Sequence, residues 1–431
     1  MLMTEMIKWM FILFFGLAFL NLPIAFVLGI AATVSLIVAN EFSIAMSVSF
    51  MLQGIDSFPL LACPFFILAG TLMEAGGISR QLVGIARSVV GRIPGGLGMV
   101  ASVACVFFGA ISGSGPATLA AIGGIMIPNM VKAGYPIAWA AALCATAGCI
   151  GIFIPPSVAM INYAVTASAP ATDMLLGGIG PGILTAAGLC GWSYIAAKRR
   201  NFGIDGEPFS LRGVVVALRD GVWSLIMPFL ILGGIYSGFF TPTEASALAC
   251  VYAFLVGVFV TRELTMKRFK DMLLKSAVTS AMILLIIATA TAFGRLLTLG
   301  QLPGALVQFV IENNVSKPVF LLFVTIMLLV AGTFMEQLST ILIVTPMLLP
   351  IALSLGIDIV HFGVLMVVNI TFGMLTPPLG SHLFLACGMT NITLKDLLKE
   401  MGPFLIIALI VILLTTYIPA VSLFPMPSRL R

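Results

Sequence analysis

The chain has 431 residues, of which 60% are hydrophobic and only 9% charged. That balance excludes a soluble domain and places the sequence among polytopic membrane proteins. The formal net charge of +5 is modest, and its distribution along the chain is more informative than its size.

Apolar stretches of about 20 residues, the length a helical span needs, recur from end to end. No cleavable signal peptide is evident, and the first apolar run is read as a retained span. Two spans are expected at 7–20 and 23–39, turned at Asn21-Leu22-Pro23. An amphipathic piece follows at 42–53, then a third span at 55–75 and a connector at 76–94 carrying Arg80, Arg87 and Arg92. Two short apolar arms, 95–111 and 117–131, flank the tip Ser112-Gly113-Ser114-Gly115-Pro116, which reads as a re-entrant helical hairpin. The next apolar run, 136–168, contains Gly151-Ile152-Phe153-Ile154-Pro155-Pro156-Ser157. Adjacent prolines remove two backbone donors and clash with the preceding turn, so a helix must break there. A span at 174–197 completes the first half, 1–198, and a basic linker covers 199–221.

The second half, 222–431, repeats the order. Spans are expected at 222–238 and 242–260, an amphipathic piece at 265–275, and a span at 276–298. A connector at 300–317 leads to a second hairpin, 318–352, with its tip near 332–338. A second broken helix at 359–388 and a last span at 403–424 close the chain. Gly373-Met374-Leu375-Thr376-Pro377-Pro378 lies 222 positions (373 minus 151) after Gly151. The same offset pairs Pro128 with Pro350, Gly134 with Gly356 and Thr118 with Thr340. Twinned interrupted helices are the best sequence pointer to a transporter binding site.

Each half thus reads as five spans plus one hairpin. Five is odd, which inverts the second half relative to the first. Charge supports this independently. With the amino terminus outside, sixteen of the 21 basic residues fall on one face, Lys8, Lys317, Arg429 and Arg431 fall on the other, and Arg295 sits at a span end. The positive-inside rule makes the richer face cytoplasmic, leaving both termini periplasmic. The fold class expected is an all-α polytopic membrane protein with an inverted repeat.

The tips carry the chemistry. Hydroxyls and carbonyls suit a hard cation such as sodium, and glycine allows close backbone approach. Ser112, Ser114 and Gly115, facing Gly151, Ile154 and Pro156, form one candidate cation site. A second constellation is Gly332-Thr333-Phe334-Met335-Glu336-Gln337 with Gly373, Thr376 and Leu379. Glu336, an ionisable group at membrane depth, and Asn369, Thr118 and Thr340 are candidates for contact with substrate. Half-helix N-termini aimed at the centre favour an anionic substrate. Thr241-Pro242-Thr243-Glu244 reads as a helix-capping box instead. The seven cysteines include no C-x-x-C pair and the two histidines, His361 and His382, are read as packing residues. With no catalytic spacing of His, Cys or carboxylates, the chain reads as a transporter, without cofactor, and not as an enzyme.

Five stretches together resemble the large membrane subunit of tripartite ATP-independent periplasmic (TRAP) transporters. They are Asp56-Ser57-Phe58-Pro59-Leu60-Leu61, Pro64-Phe65-Phe66-Ile67-Leu68-Ala69-Gly70, Ser112-Gly113-Ser114-Gly115-Pro116-Ala117-Thr118, Phe240-Thr241-Pro242-Thr243-Glu244-Ala245 and Thr376-Pro377-Pro378. The resemblance covers nearly the whole chain. It implies a bacterial inner-membrane, sodium-driven importer of an organic acid such as sialic acid or a C4-dicarboxylate, working by an elevator motion. In that fold 95–168 and 318–390 form the mobile transport domain. The resemblance also implies two partners, a small four-helix membrane subunit and a periplasmic substrate-binding protein, and no nucleic acid. It places sodium at Ser112, Gly115, Gly151, Ile154 and Pro156, and at Gly332, Gly373, Thr376 and Leu379. Many relatives carry serine where this chain has Gly115, so Ser114 or backbone is expected to substitute. No further four-span segment is seen in the sequence, so the small subunit is expected as a separate chain. The alternative is a stand-alone sodium/dicarboxylate symporter of the ion transporter superfamily, whose fold the chain also resembles.

Overall fold

The computed structural model describes residues 2–20, 22–39, 43–90, 93–202, 210–377 and 379–426, and every regular element among them is helical. Asn21, Arg92, Pro378, Arg429 and Arg431 lie outside the described residues. Seven helices among the described residues are long and apolar enough to cross a bilayer, or up to nine if each of two bent pairs is one span. Five spans per half predicts ten. Ile24–Ala39, Ile359–Gly373 and Ser381–Thr390, with 16, 15 and 10 residues, fall below that length individually. Large apolar side chains such as Phe15, Phe229, Phe259 and Phe323 are exposed around the outside. Apolar surface on that scale belongs against lipid.

One group of helices is built around Met266–Leu299, which packs against Ile24–Ala39, Ile44–Ile55 and Ala62–Ala75. Leu2–Phe19 lies on Ile24–Ala39, and Pro242–Leu255 lies on Ala62–Ala75. The Thr71 and Ser276 hydroxyls meet at 2.7 Å between these elements. Residues 265–275 are expected as an amphipathic piece and 276–298 as a separate span, but residues 266–299 run on without a break. They form one 34-residue helix, capped by the Thr265 side chain accepting from the Arg268 N–H. No proline interrupts this stretch, whereas Pro59 opens a 3-10 turn, Phe58–Leu61, at the corresponding place in the first half.

Both connectors are corrected as well. Residues 76–94 contain the helix Ile78–Val90, and residues 300–317 contain Leu302–Glu312. Ile78, Leu82, Val83, Ile85 and Ala86 are buried while Arg87 is exposed, a helical stripe. Leu211–Asp220, inside the segment read as a linker, is a second amphipathic helix and packs on Ile78–Val90.

The first hairpin pairs Gly96–Ser112 with a returning arm that runs as Gly115–Thr118, Leu119–Gly123 and Gly124–Lys132. The second pairs Lys317–Phe334 with Gln337–Ser354. Each arm of the second has 18 residues, about 27 Å at 1.5 Å per residue, so its arms are not short in the way the first half suggested. The first interrupted helix runs Ile137–Gly148 and Ile150–Phe153, breaks, and resumes as Val158–Ala167 bent by 42°. The second runs Ile359–Gly373 and resumes as Ser381–Thr390.

Each hairpin is seated on its interrupted helix through glycine. A methyl group on Gly109 would lie 2.7 Å from the Gly151 Cα, and one on Gly373 would lie 2.8 Å from the Gly332 Cα. Real carbon atoms do not approach so closely, so only glycine permits either crossing. Between the halves, the Phe153 and Phe372 rings pack edge to face at 5.3 Å, and the Tyr163 hydroxyl donates to the Ile359 carbonyl at 2.9 Å.

Candidate functional site

At the first tip, Gly113 ends the incoming arm in the left-handed region at φ 60°. A side chain there would overlap the Pro156 carbonyl oxygen. Both facts demand glycine, and together they lay the tip directly over the helix break. Ser114 then caps the returning arm, and its carbonyl accepts the Thr118 hydroxyl at 2.8 Å. The Ser112 and Thr118 hydroxyl oxygens are 2.9 Å apart and both residues are buried. Below them, the helix before the break ends with the Ile154 N–H donating to Ile150 at 3.0 Å. The Gly151 and Ile152 carbonyls would next meet the N–H groups of residues 155 and 156. Both are proline and have none, so these carbonyls are left to other partners. Ser112, Ser114, Gly115, Thr118, Gly151 and Pro156 are thus brought together at the tip, with Ser114 half-buried, while Ile154 ends the helix before the break.

The second tip uses the same register with different side chains. Glu336 stands 222 positions after Ser114 and likewise caps a returning arm. Its carbonyl accepts the Thr340 hydroxyl at 3.0 Å, as Ser114 accepts Thr118. The Glu336 carboxylate accepts from the Ser339 N–H at 3.1 Å and from its hydroxyl at 3.4 Å. With these bonds Glu336 caps the returning arm at the tip itself. Gly332 and Gly373 touch. The Thr376 hydroxyl donates to the Phe372 carbonyl at 3.1 Å, and its N–H to the Gly373 carbonyl at 2.9 Å. Leu379, with its side chain 55% exposed, stands beside the break. Asn369 is not brought to this tip. Its amide donates to Leu365 at 2.7 Å and approaches the Thr416 hydroxyl at 3.5 Å, on the neighbouring Leu394–Tyr417.

Four buried residues outside the predicted site, Gln337, Thr371, Cys149 and His382, connect the surroundings of the two tips. Gln337 donates to the Thr371 hydroxyl at 2.7 Å. The Cys149 thiol lies 3.9 Å from the Thr371 carbonyl and 3.4 Å from His382 Nδ1. The His382 ring in turn lies against Gly115, where an added methyl would come within 2.8 Å of it. Cys149 and Thr371 are 222 positions apart, so the repeat offset held a signal for this contact. The Thr241 capping box forms as expected, with the Thr241 side chain accepting from the Glu244 N–H and Glu244 answering the Thr241 N–H.

Two hairpins seated on two interrupted helices, in an apolar all-helical chain, define a polytopic membrane transport protein. Residues 11–421 match the family model described as "Tripartite ATP-independent periplasmic transporter, DctM component". The isethionate TRAP transporter permease protein DctMQ of Oleidesulfovibrio alaskensis is 43% identical over 94% of this chain, which spans 64% of that relative. The C4-dicarboxylate TRAP transporter large permease protein DctM of Pseudomonas aeruginosa is 40% identical over 92% of both chains. The crystal structure of the Alcanivorax borkumensis YdaH transporter shares the fold, with a TM-score of 0.64 and 16% identity over 88% of both chains. The chain belongs to the TRAP transporter family as its large permease component.

Proposed function

We propose that this permease component imports an organic acid by coupling it to sodium, in a bacterial inner membrane and with both termini periplasmic. The observation that carries the reading is the first tip. Two buried hydroxyls 2.9 Å apart lie over a helix break, where proline chemistry frees two carbonyls. Oxygen ligands without nitrogen or sulfur suit an alkali cation. Among the described residues no cluster of three His, Cys, Asp or Glu could hold a metal. Ser112, Ser114, Gly115, Gly151, Ile154 and Pro156 would serve one sodium, and Gly332, Gly373, Thr376 and Leu379 a second.

In this reading the two halves are inverted repeats. Residues 95–168 and 318–390 move as a block past the helices grouped around Met266–Leu299. The acid binds between the tips, with Glu336, Thr118 and Thr340 nearby, and sodium closes them over it. The partners are a small membrane subunit and a periplasmic binding protein that delivers the acid; no enzymatic step is involved. The printed names of two relatives, for isethionate and for C4-dicarboxylates, support an organic anion as cargo. The test is sodium-dependent uptake into vesicles holding the chain with both partners. Ser112→Ala and Thr376→Ala should each raise half-saturating sodium roughly ten-fold, the loss of a single ligand worth about 1–2 kcal/mol, with membrane insertion unchanged. Uptake that ignores sodium in the wild-type chain would overturn the reading.

A further inference from the structure

A cavity of about 320 Å3 lies between Met266–Leu299, the Val158–Ala167 half of the first interrupted helix and the returning arm of the second hairpin. None of the tip residues lines it. Its volume is within the range of small-molecule sites. Along the long helix, Ala290 and Gly294 leave the space open, while Thr291, Arg295 and Thr298 face it at helical spacing. Arg295 is exposed in this wall, donates to Gln53 at 2.8 Å and lies 5.3 Å from the centre of the Phe50 ring. No acidic side chain lines the cavity, and no ion pair among the described residues includes Arg295. A guanidinium held by one amide and one ring keeps most of its donors free for a carboxylate.

The opposite wall supplies an independent observation. Asn162 is fully buried and lines the same cavity, and its Oδ1 has no hydrogen-bond partner. Its amide group is already committed to the Val158 carbonyl at 2.8 Å. A buried acceptor left unmet is costly, so the site favours a ligand that donates. The Thr291 and Thr298 hydroxyls spend their protons on Ile287 and Gly294, which leaves them acceptors too. The wall therefore offers one strong cationic donor and several acceptors.

We infer that this cavity binds a hydroxylated organic acid, with its carboxylate on Arg295 and a hydroxyl on Asn162. It is a station separate from the two tips, where the acid rests on its way to or from them. The inference rests on the proposed function only for the choice of an organic acid as ligand. Thr298 is exposed in the wall and reports occupancy. The experiment follows alkylation of a Thr298→Cys chain in membranes, corrected for the parent chain, with malate, succinate or chloride at equal ionic strength. Malate should slow the reaction at least five-fold relative to chloride, and succinate less. Arg295→Gln should abolish the protection, Arg295→Lys should keep part of it, and Asn162→Ala should erase the difference between malate and succinate. Equal rates in malate, succinate and chloride would overturn the inference, even if sodium-driven uptake is intact. Protection without sodium-driven uptake would instead uphold this station and sink the import reading.

Discussion

The Thr118 hydroxyl occupies the space that a side chain at Gly151 would need. The residues lie on the returning arm of the first hairpin and on the interrupted helix beneath it. Their contact sets how closely the Ser112 and Thr118 hydroxyls approach the freed carbonyls. Gly151→Ala should cost about 1–3 kcal/mol by overpacking and abolish uptake. Adding Thr118→Ala should return only part of the stability, because the Cβ of residue 118 would still sit 2.8 Å from the new methyl. Gly233→Ala, with nothing within 4 Å, is the control and should stay within about 0.5 kcal/mol of the parent. Thermal unfolding in detergent measures all three.

Gln337 is the second tip's own tie to its interrupted helix, through the Thr371 hydroxyl at 2.7 Å. Both residues are buried. Gln337→Leu keeps the volume but leaves a buried hydroxyl short of a donor, at a cost of about 1–3 kcal/mol. Adding Thr371→Val removes the stranded group and should recover most of that cost. If the double variant were as unstable as Gln337→Leu, the hydrogen bond would not be what Gln337 contributes. The repeat offset places Gly115 where the second half has Gln337, so the first tip has no such tie. The His382 ring lies there instead.

The residues that announced themselves in the sequence are those whose chemistry acts locally. Pro155 and Pro156 break a helix whatever surrounds them, and the break falls where they stand. Thr241, Pro242 and Glu244 satisfy one another within a single turn. The tip at 112–116 was legible for the same reason. Residues 78–90 carry helical periodicity as well, but Arg80 and Arg87 break the apolar run with charge. The 266–299 helix departs from the first half because it has no counterpart of Pro59, which opens a 3-10 turn there. Long-range choices left no local mark. Nothing in the neighbours of Gly109 says that it meets Gly151, and Arg295 looked like one more residue at a span end until Asn162 stood across a cavity from it.

Thr241 closes the amino end of Pro242–Leu255 by accepting from the Glu244 N–H, while Glu244 accepts from the Thr241 N–H and hydroxyl at 2.8 Å. Thr241→Ala strands an N–H at the helix start and should cost about 1 kcal/mol. Thr241→Ser keeps the hydroxyl and should cost a few tenths of that. The helix packs on Ala62–Ala75 in the group around the long helix, so neither change should alter sodium dependence. A changed sodium response in Thr241→Ala, with stability intact, would give this turn a part in transport.

Whether the halves are inverted can be tested at two basic residues. Arg87 lies on the exposed side of Ile78–Val90, and Lys317 begins the second hairpin with its amine 3.4 Å from the Gly356 carbonyl. Both precede a hairpin turn, Arg87 in the helix that leads to the first hairpin and Lys317 at the first residue of the second. If the second half crosses the bilayer in the opposite sense, the first faces the cytoplasm and the second the periplasm, as the excess of Lys and Arg on one face requires. Arg87→Cys and Lys317→Cys, each compared with the parent chain, should then react from opposite sides with a thiol reagent that cannot cross the membrane. Lys317→Cys should label in intact cells and Arg87→Cys only in inside-out vesicles. Labelling of both from one side would mean two halves inserted in parallel. The two tips would then open to the same compartment, and the inverted-repeat reading would fall.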